Sequence, residues 1–199
     1  LDGTKSAIEM ACWDIKGRAA GRPGAVVERS RPGLGEGDQL LQRDARDQLG
    51  AVVALGVAIV VDSREQLPYA FAGHRTVCRK LDAGDYSLEG YEQRIAVERK
   101  SKTDAWSCVG NGRERFERAL CRLSAIERPI VLIECGLDNF AVPPPLPTNK
   151  ERVVTPAQAV HSYLSWEVRY NVHVAWAPSR AWAERMIVRW FTSFLEHCR

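Results

Sequence analysis

Arg94-Ile95-Ala96-Val97-Glu98-Arg99-Lys100 begins as a short apolar strand and ends in a run of charge. Ile95 to Val97 has the composition of a buried strand. Side chains alternate across a strand, so Glu98 and Lys100, two apart, share one face. Upstream, Leu88-Glu89-Gly90-Tyr91 reads as a turn. Asp85 to Lys100 is therefore predicted to fold as a hairpin whose arms bring Asp85 near Glu98. Two carboxylates converging beside a lysine make a hard-oxygen site suited to Mg²⁺ or Mn²⁺. The lysine can orient an attacking water or stabilise charge on a phosphoryl oxygen.

Working outward, Val57-Ala58-Ile59-Val60-Val61 is a second buried strand, ended by Asp62-Ser63-Arg64-Glu65. Asp62 and Glu65 join the candidate site there; the rival role for both is a strand-end cap. Arg64 is a candidate phosphate contact and Arg99 an ion-pair partner of the carboxylates. Asp104 has two readings, a helix N-cap or a ligand of the site.

Arg113 to Ile126 reads as an amphipathic helix with Phe116, Ala119, Leu120 and Leu123 on its apolar face. Arg113, at its start, contacts a polyanionic partner or organises the site, against the alternative of a solvated helix start. Arg115, Arg118 and Arg122 read as a solvated face, with a groove for a polyanion as the rival. Pro129-Ile130-Val131-Leu132-Ile133-Glu134 is a buried strand, followed by a proline-rich loop bearing Lys150 and Arg152, two candidate backbone contacts. Thr155 caps a helix running to about Tyr170, Val172 to Trp176 alternates as a strand, and Ser179 caps a last helix with Trp182, Met186, Trp190 and Phe194 on one face. Trp166, Trp176, Trp182 and Trp190 fall at core-like spacing. The four histidines, His74, His161, His173 and His197, lack ligand spacing. Strands and helices alternate through this half, which predicts an α/β domain.

The N-terminal part differs in character. Lys5 to Arg18 has helical periodicity, and Arg29 to Gly37 is a linker rich in Gly, Pro and charge. Asp44 to Ala54 is a candidate short helix. The organisation expected is an appendage over residues 1–29, a linker and short helix over 30–55, and the catalytic domain over 56–199.

Composition sets outer bounds. An apolar share of 45% is enough to build a core, which excludes disorder as the default. The longest apolar run, Ala51 to Val61, is too short for a membrane helix, so no membrane partner is expected. A net charge of +3 permits a polyanionic partner without demanding one, so any nucleic-acid case rests on where the charges sit. Six cysteines without a Cys-x-x-Cys argue for reduced, mostly buried thiols in a cytosolic protein rather than a zinc site or disulfide framework. No signal peptide is visible, and the chain begins at Leu1 without methionine, as a fragment or processed chain does.

Two resemblances follow from these motifs. Gly84-Asp85, twelve residues, Glu98-Arg99-Lys100, three residues, Asp104 resembles the G-D-xₙ-E-R-K-x₃-D signature of the XPF family of structure-specific endonucleases. Val61-Asp62-Ser63-Arg64-Glu65, Asn111-Gly112-Arg113 and Arg128 to Glu134 are similar to that family's other motifs, and the variety most resembled is the compact bacterial or phage type. The resemblance implies a restriction-endonuclease-like core, a central mixed β-sheet flanked by helices. It implies a catalytic set of Asp62, Glu65, Asp85, Glu98, Arg99, Lys100 and Asp104, with Asp85, Glu98 and Glu65 as metal ligands. It also implies Mg²⁺- or Mn²⁺-dependent hydrolysis of phosphodiester bonds in branched or structured DNA, leaving a 5′-phosphate and a 3′-hydroxyl, in a cytoplasmic protein that pairs as a homodimer. The alternative is an inactive DNA-binding or scaffold module with a nuclease fold. No Gly-hydrophobe-Gly pair marks the tandem helix-hairpin-helix module that larger members carry. Separately, Ala7 to Gly17 with Gly21-Arg22-Pro23 resembles a signature helix of the mandelate racemase and muconate lactonising enzymes, but the chain has no room for their (β/α)₈ barrel.

Overall fold

Six strands form one mixed sheet in the order β2-β1-β3-β4-β5-β6. The computed structural model describes residues 56–145 and 154–197. The expected N-terminal helix, linker and 44–54 helix, and Lys150 and Arg152, lie outside the described residues. The strands are β1 (Ile59–Asp62), β2 (Thr76–Arg79), β3 (Tyr86–Leu88), β4 (Ile95–Lys100), β5 (Arg128–Ile133) and β6 (His173–Trp176). The helices are α1 (Lys102–Val109), α2 (Arg113–Leu123), α3 (Leu137–Phe140), α4 (Pro156–Tyr170) and α5 (Arg180–His197).

The predicted hairpin is present: β3 runs antiparallel to β4, with Tyr86 opposite Val97. β1 pairs antiparallel with β3, while β4, β5 and β6 run parallel to one another. Strand alternation divides the core in two. Ile59, Tyr86, Ile95, Val97 and Leu132 pack on α5 through Ala183, Ile187 and Phe191. On the other face Ala96, Val131 and Ile133 meet Trp106, Phe116, Leu120, Tyr163 and Trp166 from α1, α2 and α4. Each such large apolar side chain, fully buried, contributes about 1.5–3 kcal/mol.

α4 begins as its sequence predicts. Thr155 and Gln158 form a reciprocal capping box, with Pro156 in the first turn. α5 departs from expectation by about one residue of rotation. The stripe on the sheet is Ala183, Ile187, Phe191 and Leu195, joined by the predicted Phe194 at 4% exposure, whereas Trp182 is 37% exposed and Met186 and Trp190 are half-buried against the core. Both stripes are apolar, and the small Ala183 lets the helix approach the sheet where an indole does not fit. Of the predicted core tryptophans, Trp166 is fully buried, Trp176 and Trp190 are half-buried, and Trp182 lies at the rim with Arg185 over its ring.

β2 and α1 are elements the sequence pattern does not announce. β2 is an edge strand, parallel to β1, with three of its four residues exposed. It has no apolar face to read. The cysteine expectation also needs correcting: Cys108 and Cys135 are buried, but Cys78 and Cys121 are exposed, on the edge strand and on the solvent side of α2. Among the described residues, no helix is long and apolar enough to cross a membrane.

Candidate active site

Gly84 sets up the site. Its φ is +78°, and a Cβ there would lie 2.9 Å from the Val97 carbonyl oxygen. Glycine alone allows the chain to pass so close to β4 in that conformation. The next residue is thereby docked: the Asp85 N–H donates to the Val97 carbonyl at 2.7 Å, and the Asp62 N–H donates to the Asp85 carbonyl at 2.8 Å. The Asp85 carboxylate in turn accepts the Arg99 backbone N–H at 2.7 Å.

Glu98 and Lys100 leave β4 on the same face, and Lys100 Nζ donates to Glu98 Oε1 at 2.5 Å. The lysine stem also brings Nζ within 5.6 Å of the Phe116 ring centre. Burial, reinforced by the negative charge of Glu98, pushes the Asp85 carboxyl up to about 7. Burial disfavours the Lys100 ammonium, but Glu98 and Asp85 outweigh it, and the group holds its proton more tightly than an ordinary lysine. Two crowded carboxylates, one reluctant to ionise, suit a hard divalent cation. Among the described residues no cluster of three or more Asp, Glu, His or Cys gathers as a metal site. A magnesium-like ion commonly takes only one or two carboxylates, with water and phosphate oxygens completing its shell, so the pair fits.

Arg99 points the other way. On the opposite face its guanidinium donates to Glu65 at 3.1 and 3.3 Å and to Glu134 at 3.0 Å. Glu134 also accepts Tyr69 Oη at 2.5 Å and Arg180 Nη1 at 2.9 Å. Arg180 reaches on to the carbonyls of Leu67 and Pro68. Burial, with the adjacent Glu134 carboxylate, pushes the Tyr69 hydroxyl far above its ordinary range. The structure therefore gathers Asp85, Glu98 and Lys100; Glu65 is paired with Arg99, yet close enough for its charge to add slightly to the rise at Asp85.

A family model for the ERCC4 domain matches residues 61–189. The chain belongs to the ERCC4 domain family. Among solved structures it is similar to XPF from Aeropyrum pernix, with a TM-score of 0.52 and 17% identity over 71% of this chain and 66% of that one. It is likewise similar to XPF from Aeropyrum pernix in complex with DNA, with a TM-score of 0.51, 18% identity and the same coverage of 71% and 66%. The chain thus spans just under two thirds of the length of these solved relatives. No curated protein matches the sequence. The mixed sheet with helices on both faces is the restriction-endonuclease-like fold that XPF shares.

Within this ERCC4 domain the remaining candidates have defined places. Asp62 is 2% exposed; its Oδ1 accepts the Arg64 N–H and Nε at 2.7 and 2.8 Å, and its Oδ2 accepts Arg64 Nη2 and the Leu81 N–H at 2.8 and 2.7 Å. Burial opposes its ionisation, but these donors prevail and hold the carboxyl below its ordinary value. It anchors the chain after β1, and the strand-end cap is the geometry observed. Arg64 is 61% exposed; its hydrogen bonds to Asp62 chiefly raise its proton affinity, against its partial burial, and the charges of Asp85 and Glu98 add a smaller effect. The N-cap of α1 is Ser101; Asp104 donates its N–H to Ser101 Oγ at 3.1 Å and accepts that hydroxyl at 2.6 Å. Arg113 lies over the Trp166 ring at 4.8 Å and pairs with Glu117 at 3.1 Å. Arg115, Arg118 and Arg122 are exposed on the outer side of α2. Sequence reasoning did not single out Tyr69, Glu134 or Arg180 for the network. Glu134 is the exception that offered a signal, a lone charge ending an apolar strand.

Proposed function

We propose that this ERCC4 domain protein is a divalent-metal-dependent DNA endonuclease that hydrolyses phosphodiester bonds in branched or structured DNA, with residues 56–199 as its nuclease domain. The observation that carries this reading is the grouping of Asp85, Glu98 and Lys100 on one face at the end of β4, with the Asp85 carboxyl pushed up to about 7. One solved relative of the same fold is described as a complex with DNA, which supports the choice of polymer.

Asp85 and Glu98 would hold the ion, with Glu65 as a further ligand only if it leaves Arg99. The ion, when bound, lowers the pKa of a coordinated water and neutralises charge on phosphoryl oxygens. The protein's own groups do the rest. Lys100, kept protonated by its two carboxylate neighbours, orients the water or stabilises charge on a non-bridging oxygen. Arg64, exposed beside Asp85 and Glu98, is placed to take a backbone phosphate. Arg99 acts from behind, holding the strand rather than touching substrate.

Incubation with flap, fork, Holliday-junction and plain duplex DNA, with Mg²⁺ or with EDTA, tests the reading. Cleavage of a branched substrate in Mg²⁺, absent in EDTA, is the expected result. Binding without cleavage of any substrate in Mg²⁺ or Mn²⁺ would instead identify an inactive DNA-binding module.

A further inference from the structure

α2 and α4 leave between them a groove of about 470 Å³. Apart from two valines, its lining is Arg113, Gln158, His161, Ser162 and Ser165. The last four recur at i, i+3, i+4 and i+7, so they form one stripe along α4. Arg113, Gln158, His161 and Ser165 can each donate a hydrogen bond into it, the Ser162 hydroxyl being given to the Gln158 carbonyl at 2.9 Å, and among the described residues no carboxylate lines the groove. Arg113 is held in place: its guanidinium lies 4.8 Å from the Trp166 ring centre, Nη1 donates to Ser162 Oγ at 3.3 Å, and Nε pairs with Glu117. Glu117 also accepts Trp166 Nε1 at 3.0 Å, so the acid is occupied in fixing the arginine and its aromatic support. A preorganised arginine over a row of neutral donors is a receptor for an anion with several oxygens.

The groove lies on the catalytic side of the sheet. Lys100 Nζ is 5.6 Å from the Phe116 ring centre, the Phe116 and Trp166 rings are 5.1 Å apart, and Arg113 stands on Trp166. Those contacts bound the distance from ammonium to guanidinium at about 16 Å, which caps the axial separation at between four and five nucleotides at about 3.4 Å of rise each.

We propose that this groove is a second phosphate subsite, which takes one backbone phosphate of the DNA within about five nucleotides of the scissile bond. The proposal rests on the endonuclease reading above. It assigns to α4, whose polar stripe would otherwise be a solvated face, the work of setting the path of the strand away from the cleavage point. A phosphate contact carries no sequence information, so the subsite strengthens binding equally for all sequences.

The test measures the affinity of the full chain for a branched DNA in EDTA, where no cleavage is expected, across a range of KCl concentrations. Arg113→Gln is expected to weaken binding about tenfold and to reduce the slope of log affinity against log salt by about one. Ser165→Asp, an exposed change outside the Arg113–Glu117 pair, is expected to weaken binding in the same direction. Single uncharged methylphosphonates are then placed in turn within about five nucleotides of the cleavage point. One position should weaken binding by the parent while leaving Arg113→Gln unaffected. If the parent binds and is active but no position shows this coupling, or both variants keep the parental slope, the subsite is wrong and the nuclease reading stands. If the parent neither binds nor cuts any DNA, both are wrong.

Discussion

The backbone N–H of Arg99 lies 2.7 Å from Oδ2 of Asp85, while the side chain of the same arginine is locked on the far face of the sheet between Glu65 and Glu134. One residue thus joins the candidate catalytic carboxylate to a buried charge network, and it separates Glu98 from Lys100 along β4. The position of Asp85, Glu98 and Lys100 depends on what Arg99 is tied to.

The network should matter for stability first. Arg99, Glu65 and Glu134 each retain only about a tenth of their side-chain exposure, so loss of one partner leaves a desolvated charge. Arg99→Ala is expected to cost about 3 kcal/mol, measured by urea unfolding. Glu134→Gln should cost less, because the amide oxygen can still accept one of the three donors. An unchanged midpoint for Arg99→Ala would show that the network is not holding the strand.

Gly84→Ala tests the docking of Asp85. With a φ of +78° and a carbonyl 2.9 Å from the new methyl, the substitution forces the segment away from β4. The expected cost is about 1–3 kcal/mol, together with a loss of cleavage beyond what the lost stability explains. A variant of parental stability and activity would contradict the close approach.

Asp85 makes the metal-free protein sensitive to pH. Its folded-state carboxyl, at about 7, binds a proton more tightly than the ordinary carboxyl at 3.8. The folded protein therefore carries the extra proton between those values, and this group's contribution to stability falls as pH rises through that window. Above it the penalty is complete. Asp85→Asn should raise the melting temperature of the protein in EDTA at pH 8 and change it little at pH 4. Equal shifts at both pH values would contradict the crowding of Asp85 and Glu98.

Much of this arrangement was legible in the chain because the hairpin is local. Apolar Ile95 to Val97, the turn at Gly90 and the two-residue spacing of Glu98 and Lys100 specify which groups share a face. The capping of α4 was readable for the same reason, since Thr155, Pro156 and Gln158 act on neighbouring backbone. What escaped depends on distant partners. Arg99 pairs with Glu134, thirty-five positions away, and Arg180 reaches Leu67 across more than a hundred. The acidic motif that ends the first strand made Glu65 a candidate ligand, but the orientation of its carboxylate is decided by which cation it meets, and that is Arg99. β2 escaped because parallel pairing with β1, not an apolar pattern of its own, makes it a strand. The rotation of α5 was hidden by two adjacent apolar stripes, of which packing selects the one with the smaller residues.

In the reading proposed above, Asp85, Glu98 and Lys100 cut DNA together. Its most direct test is the single-turnover cleavage rate of a branched substrate in Mg²⁺, for the parent, Asp85→Asn and Lys100→Ala, alongside DNA affinity in EDTA. Both variants are expected to lose on the order of 10³-fold in rate while binding DNA as the parent does. A variant that cleaves at the parental rate would contradict the assignment.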